Sequence, residues 1–287
     1  MAAKILVFLF TCFLSVCVFL GALYSCADTS GRNITVKGSD TMVNMAACWA
    51  EEYMKEHRET TIAVTGGGSG VGIAALINGA TDVCLASRHM SEKERELIRK
   101  HRGKDVLEIA VARDAVAVFV HTDNPVREVS LDQLAGIYTG KITNWRELGW
   151  TDKRIILCGR ENTSGTYAYF KEKALKKQDF TPDVLAIQGT SGVVHAVAND
   201  PYAIGYGGIG YSSGVRNIAL KKNNETPGIE PSSETVEKGT YPLARSLFFY
   251  VLESPSPEVQ RVIDWVLSDK GQKIVVDNEY YPLCAGN

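Results

Sequence analysis

"NITVKGSDTMVNMAACWAEEYMKEHRETTIAVTGGGSGVGIAAL" occupies residues 33–76. Two short runs, 33–38 and 60–66, carry the β-branched composition of strands. Between them, apolar residues at 42, 45, 46, 49 and 53 fall on one helical face. A second helical pattern, 70–80, follows the glycine-rich turn. "DVCLAS" (82–87) reads as a third strand, and "SEKERELIRKH" (91–101) as a charged helix opened by a Ser91/Glu94 capping box. This β-α-β-α-β rhythm predicts a parallel sheet with helices on its faces.

The pattern continues to the C-terminus. Helices are expected at 130–140, after Ser130, and at 191–201, stopped by Pro201. Strands are expected at 153–159 and, rich in glycine, at 203–211, with the last helices in 257–278. Two β patterns are much longer than the rest: "LEIAVARDAVAVFVHTD" (107–123) and "LARSLFFYVLE" (243–253). The first is a natural place for the chain to cross into a second α/β lobe, the other a place to return. The expected division is a signal segment, 1–27, one lobe from 28–115 plus 246–287, and a second lobe from 116–245. Two strands joining two lobes make a hinge with a cleft between them.

Composition narrows the partners. The 287 residues are 45% hydrophobic and 22% charged, with a net charge of -2, so no nucleic-acid partner is indicated. Lys4 precedes an uncharged apolar stretch, 5–27, that has the form of an export signal. Its ending "LYSC" resembles a bacterial lipobox, in which Cys26 would be lipidated and become the first residue. Tyr24 departs from that pattern, so cleavage after Ala27 and an uncleaved anchor stay open. All three place residues 28–287 outside the cytoplasmic membrane. Loss of Lys4 makes the mature chain one unit more negative, so an anion must be drawn by local groups.

Cysteines 48, 84, 158 and 284 follow the signal without metal-ligand spacing. The first three read as small buried hydrophobes, and no disulfide pair is named. The five histidines also lack ligand spacing, so neither a metal nor a cofactor is expected. His57, His89 and His101 read as surface groups, His195 as a core or cleft-edge residue, and Trp145 as a packing anchor.

Three helix starts share one chemistry: "GSDT" (38–41), "GGGSG" (66–70) and "RENTSGT" (160–166). Each follows a strand, turns on glycine and sets hydroxyls beside a helix N-terminus, which suits an oxyanion. Capping explains any one of them. Three in one chain, two in the first lobe and one in the second, suggest a grip from both sides of the cleft. Arg88 and Arg160 end strands at the same sheet edge and would add planar, bidentate donors. Their alternative is an ion pair, with Glu92 or Glu161 as candidates. No Walker A, dinucleotide or G-x-S-x-G motif is present.

Taken together, "GSDTM", "GGGSGVGIAAL", "DVCLASR", "DAVAVFVHTDNPV", "LAGIYTGKITNW", "RENTSGTYAYF", "AIGYGGIGY" and "IDWVLSDKGQKIV" resemble the PstS-like substrate-binding proteins of bacterial phosphate ABC importers. The resemblance covers the mature chain. It implies an α/β type II periplasmic-binding-protein fold whose two lobes close over one phosphate. It assigns phosphate contacts to Thr41, Met42, Ser69, Arg160, Ser164, Gly165 and Thr166. Two positions depart: where some members carry aspartate after "AS" stands Arg88, and where an acidic residue often follows the arginine stands Asn162. The carboxylates left at the site are Asp40 and Glu161. Asp40 is either the acceptor for the proton on phosphate or a cap of the first helix. The implied role is a monomeric, non-catalytic carrier that delivers inorganic phosphate to a membrane permease. A surface lipoprotein that senses phosphate, sulfate or tungstate without transport is the alternative. A phosphatase is disfavoured, because neither a nucleophile with a base nor a metal is visible.

Overall fold

Strand β1 (Arg32–Gly38) lies between β2 (Thr60–Thr65) and β3 (Val83–Ala86), parallel to both. The structure, a computed structural model, describes residues 32–283. Helix α1 (Val43–Glu56) joins β1 to β2 and buries Met45, Ala46, Trp49 and Tyr53 of the expected stripe, with Ala50 beside them. Trp49 also donates its indole N–H to Gly271 O at 2.8 Å, tying α1 to α9 (Asp269–Asp277). Helix α2 (Ser69–Asn78) joins β2 to β3. Helix α3 (Glu92–Arg102) has the expected capping box, with Ser91 and Glu94 bonding each other's backbone N–H.

The fifteen-residue β4 (Val106–Val120) organises the rest. Up to Ala115 it pairs antiparallel with β10 (Ala244–Leu252); from Val116 its partner is β8 (Ala203–Gly208). β10 in turn pairs antiparallel with β3. On the far side β6 (Ile156–Arg160) runs parallel to β8 and to β7 (Leu185–Ile187). The main path is therefore β2-β1-β3-β10-β4-β8-β6-β7. β9 (Arg216–Lys221) pairs β4, and β5 (Glu128–Ser130) pairs β9. Helices α4 (Leu131–Tyr138), α5 (Gly165–Lys173), α6 (Thr190–Ala198), α7 (Ser233–Glu237) and α8 (Pro257–Leu267) complete the fold with α9.

Some readings shift. The glycine-rich strand stops at Gly208 and becomes a 3₁₀ turn over Ile209–Tyr211. His195 is exposed on α6, where its backbone carbonyl accepts from Asn199. Trp145 is fully buried and donates to Tyr202 O at 2.8 Å. Cys84 and Cys158 are buried free thiols, whereas Cys48 is half-buried. Burial pushes the Cys158 thiol up to about 11 and the Cys84 thiol higher still, so neither is a thiolate at neutral pH. Cys26 and Cys284 lie outside the described residues. Among those residues, no helix is long and apolar enough to cross a membrane.

Candidate functional site

The three helix starts meet. Thr41, just before α1, and Thr166, in the first turn of α5, are both fully buried, with their hydroxyl oxygens 2.8 Å apart. Ser39, Ser69 and Ser87 lie beside them. Ser39 Oγ donates to Ser87 Oγ at 3.0 Å, Ser69 Oγ is 3.3 Å from Ser87 Oγ, and Ser87 N donates to Ser69 Oγ at 3.1 Å. Gly165 seals the other side: a Cβ there would stand 2.2 Å from Ser69 Oγ and 2.6 Å from Ser87 Oγ. The backbones touch as well, since Gly70 N donates to Thr163 O at 2.9 Å.

The helix starts differ in how they are capped. Ser164 caps α5, accepting from Thr166 N at 3.2 Å and Tyr167 N at 3.3 Å. α1 and α2 begin at Met42 and Gly68 with no side-chain cap. Met42 is buried, and its own N–H donates to Ser39 O at 2.9 Å. Gly68 has φ of 95°, a left-handed conformation that favours glycine, and it lies against Thr163 O.

Asp40 is not the cap of α1. Its carboxylate accepts from Gly67 N at 2.7 Å and from Arg160 Nη2 at 3.0 Å. Arg160 is only 2% exposed. Beyond Asp40 it donates to Thr190 Oγ1 at 2.8 Å and pairs with Glu161 at 3.1 Å. One cation thus faces two carboxylates. Tyr211 OH donates to Asp40 O at 2.8 Å and Tyr280 OH to Thr41 O at 2.6 Å, fixing the "GSDT" backbone. Burial pushes Tyr211 up to about 12, so it remains a protonated donor.

Arg88 does not join this cluster as the expected second positive charge. Glu94 takes its guanidinium with bonds of 2.7 and 2.9 Å, and His89 O accepts from it at 2.9 Å. The alternative ion pair is realised, with Glu94 rather than Glu92. A different arginine reaches the threonines. Arg245 Nη2 lies 3.0 Å from Thr166 Oγ1 and 3.5 Å from Thr41 Oγ1, and Nη1 donates to Ser87 O at 3.0 Å. Asp114, its direct partner across β4 and β10, accepts from Nε at 2.8 Å. Burial pushes the Asp114 carboxyl up, against the pull of Arg245 and the Ile209 N–H.

These contacts can be set beside known proteins. The model of the PBP superfamily domain matches residues 26–270. Phosphate-binding protein PstS of Pseudomonas aeruginosa is 35% identical over 91% of this chain and 86% of its own length. That of Bacillus subtilis is 31% identical over 89% and 82%. The chain belongs to the PstS-type branch of the PBP superfamily. Solved structures agree in fold. A substrate-binding protein ascribed to phosphate ABC transport in Clostridium perfringens, solved with bound phosphate, superposes with a TM-score of 0.80 at 27% identity, covering 88% of this chain and all (100%) of that one. An ABC-type phosphate transport receptor from Vibrio cholerae gives 0.71 at 29% identity, covering 87% and 100%. The fold is α/β, of the type II periplasmic-binding-protein kind.

Within this PstS-type fold the cluster is rich in donors and poor in net positive charge. Arg160 faces Asp40 and Glu161, Arg245 faces Asp114, and Arg88 faces Glu94. Attraction for an anion therefore has to come from oriented O–H and N–H dipoles. Arg245, Asp114, Ser39, Ser87 and Thr190 were not read as site residues. Arg245 and Asp114 did carry a signal: Arg245 is the lone charge of an otherwise apolar strand, and Asp114 begins the uncharged run that ends β4. Two such charges of opposite sign in long core strands call for a partner.

Proposed function

We propose that this chain is a non-catalytic, extracytoplasmic carrier that closes two lobes over one inorganic phosphate and hands it to the permease of an ABC importer. The observation that carries the reading is the meeting of Thr41 and Thr166 hydroxyls, 2.8 Å apart, beside Ser69, Ser164 and Gly165. Hydroxyls from helix starts at opposite sides of a sheet are a set of donors for a tetrahedral oxyanion. The names of the relatives support phosphate as that anion. Asp40, Thr41, Met42, Ser69, Arg160, Ser164, Gly165 and Thr166 form the contact region in this reading, whereas Arg88 belongs to the wall beside it. The lobes are taken as 28–115 plus 246–287 and 116–245. The change of partner along β4 between Ala115 and Val116 supports this division. Residues 1–27 act as the export signal, and the "LYSC" ending supports a lipid anchor at Cys26.

The test is a thermal-shift series on residues 28–287 with phosphate, arsenate, sulfate and tungstate. Stabilisation by phosphate, with little or none from sulfate, is the expected result. No response to any anion would sink the reading. An equal response to sulfate would change the ligand and keep the carrier.

A further inference from the structure

We infer that Arg245, held by Asp114, is a positioning residue for phosphate: it sets the hydrogen-bonding sense of the two threonines that close the site. The inference rests on the carrier reading above and assigns a residue which that reading leaves out. Arginine can donate and cannot accept. A hydroxyl 3.0 Å from Arg245 Nη2, as in Thr166, must therefore receive that bond with its oxygen. Thr41 Oγ1, at 3.5 Å, is at the edge of reach of the same nitrogen. The two hydroxyls are also 2.8 Å from each other, so one proton is spent between them. The remaining O–H has its lone pairs facing protein donors and its proton free to point toward an anion. Without Arg245, either threonine could turn an oxygen lone pair to the ligand, which is repulsive to phosphate.

The surroundings make the arginine a fixed reference. Its side chain is 3% exposed and that of Asp114 0%. Nε and Nη2 are held by Asp114, 2.8 and 2.7 Å away, and Nη1 by Ser87 O. Tyr169 lies under the guanidinium, 5.3 Å from ring centroid to Cζ. Both charges stand on the strands β4 and β10, directly opposite each other. The group that orients Thr41 and Thr166 thus belongs to the long strands rather than to either helix start.

Removing Arg245 alone would strand a buried carboxylate, so the pair is replaced together, as Arg245→Met with Asp114→Leu. Phosphate binding is measured by calorimetry in four proteins: wild type, the paired variant, Thr166→Val, and all three changes combined. The expected result is a cooperative thermal unfolding in the paired variant together with phosphate affinity weaker by roughly tenfold or more. Thr166→Val should cost much less in the paired variant than in wild type, because the two act through one contact. Affinity within about twofold of wild type, or equal costs of Thr166→Val in both backgrounds, would overturn the assignment. If the paired variant fails to fold, Arg245→Gln with Asp114→Asn takes its place with the same two criteria, since an amide can accept as well as donate. A wild-type chain that binds no phosphate would overturn the carrier reading itself and this inference with it.

Discussion

Arg160 illustrates how much one buried side chain can hold. Its guanidinium bridges Asp40, before α1, and Thr190, at the start of α6. Arg160→Ala leaves Asp40 and Glu161 without their cation and removes a donor from the site. Phosphate affinity should fall by roughly a hundredfold or more in calorimetry, the scale of a lost charged bond plus unpaired carboxylates. Arg160→Lys should be intermediate, since an ammonium cannot fork toward two partners as a guanidinium does. Asp40 bears on a different property. It is a carboxylate at the edge of a donor-rich site, and phosphate at neutral pH keeps a proton that sulfate lacks. Asp40→Asn should narrow the preference for phosphate over sulfate, measured by titrating phosphate against excess sulfate. Unchanged discrimination would remove Asp40 from proton recognition.

At the scale of elements, the opening turn of α5 sits against the opening turn of α2 with no space to spare. Gly165→Ala inserts a methyl 2.2 Å from Ser69 Oγ. Alanine suits a helix start, so the variant should fold. Overpacking of this kind costs about 1–3 kcal/mol, so the melting temperature without ligand should fall, and phosphate affinity should drop by roughly ten- to a hundredfold as the helix starts are pushed apart. Helix α3 offers a pH test. Burial pushes the Glu94 carboxyl up, but its bonds to Arg88 and Ser91 outweigh this and hold it below the usual carboxylate range. A carboxyl with a depressed folded-state pKa contributes stability above its unfolded pKa and loses it as pH falls through the folded value. Glu94→Gln should therefore melt lower than wild type at pH 7. The gap should close as pH drops below about 4, the range in which an ordinary glutamate takes up its proton.

For the whole molecule, the sequence carried most of the architecture and about half of the candidate site. α1, α3 and the long strands were legible because each repeats its pattern over many residues. β5 and β7 were not, since three residues hold no period, and β9 was missed among polar neighbours. The helix-start chemistry located Thr41, Ser69, Arg160 and Thr166, which do converge. It did not foresee the Arg88–Glu94 pair, because a strand-end arginine says nothing about which carboxylate a neighbouring helix will bring. Glu94, committed by its capping box, lies within reach of Arg88, and that could be seen only in three dimensions. At this scale the carrier reading predicts closure on ligand. Small-angle scattering of residues 28–287 should show a smaller radius of gyration with phosphate than without it. Identical curves, in a protein shown to bind phosphate, would mean that the lobes do not move.

One contact across the cleft sets a limit on how such closure can be tuned. Gly70 N and Thr163 O belong to the main chain, so their bond uses no side-chain atom. In the carrier reading it would favour the shut form to the same extent whatever anion is selected. In the same reading, substitutions at the hydroxyls and arginines act on which ion is held, whereas this main-chain bond is left in place. Ligand choice and the resting balance between open and shut are thereby separable quantities, and evolution of the first need not disturb the second.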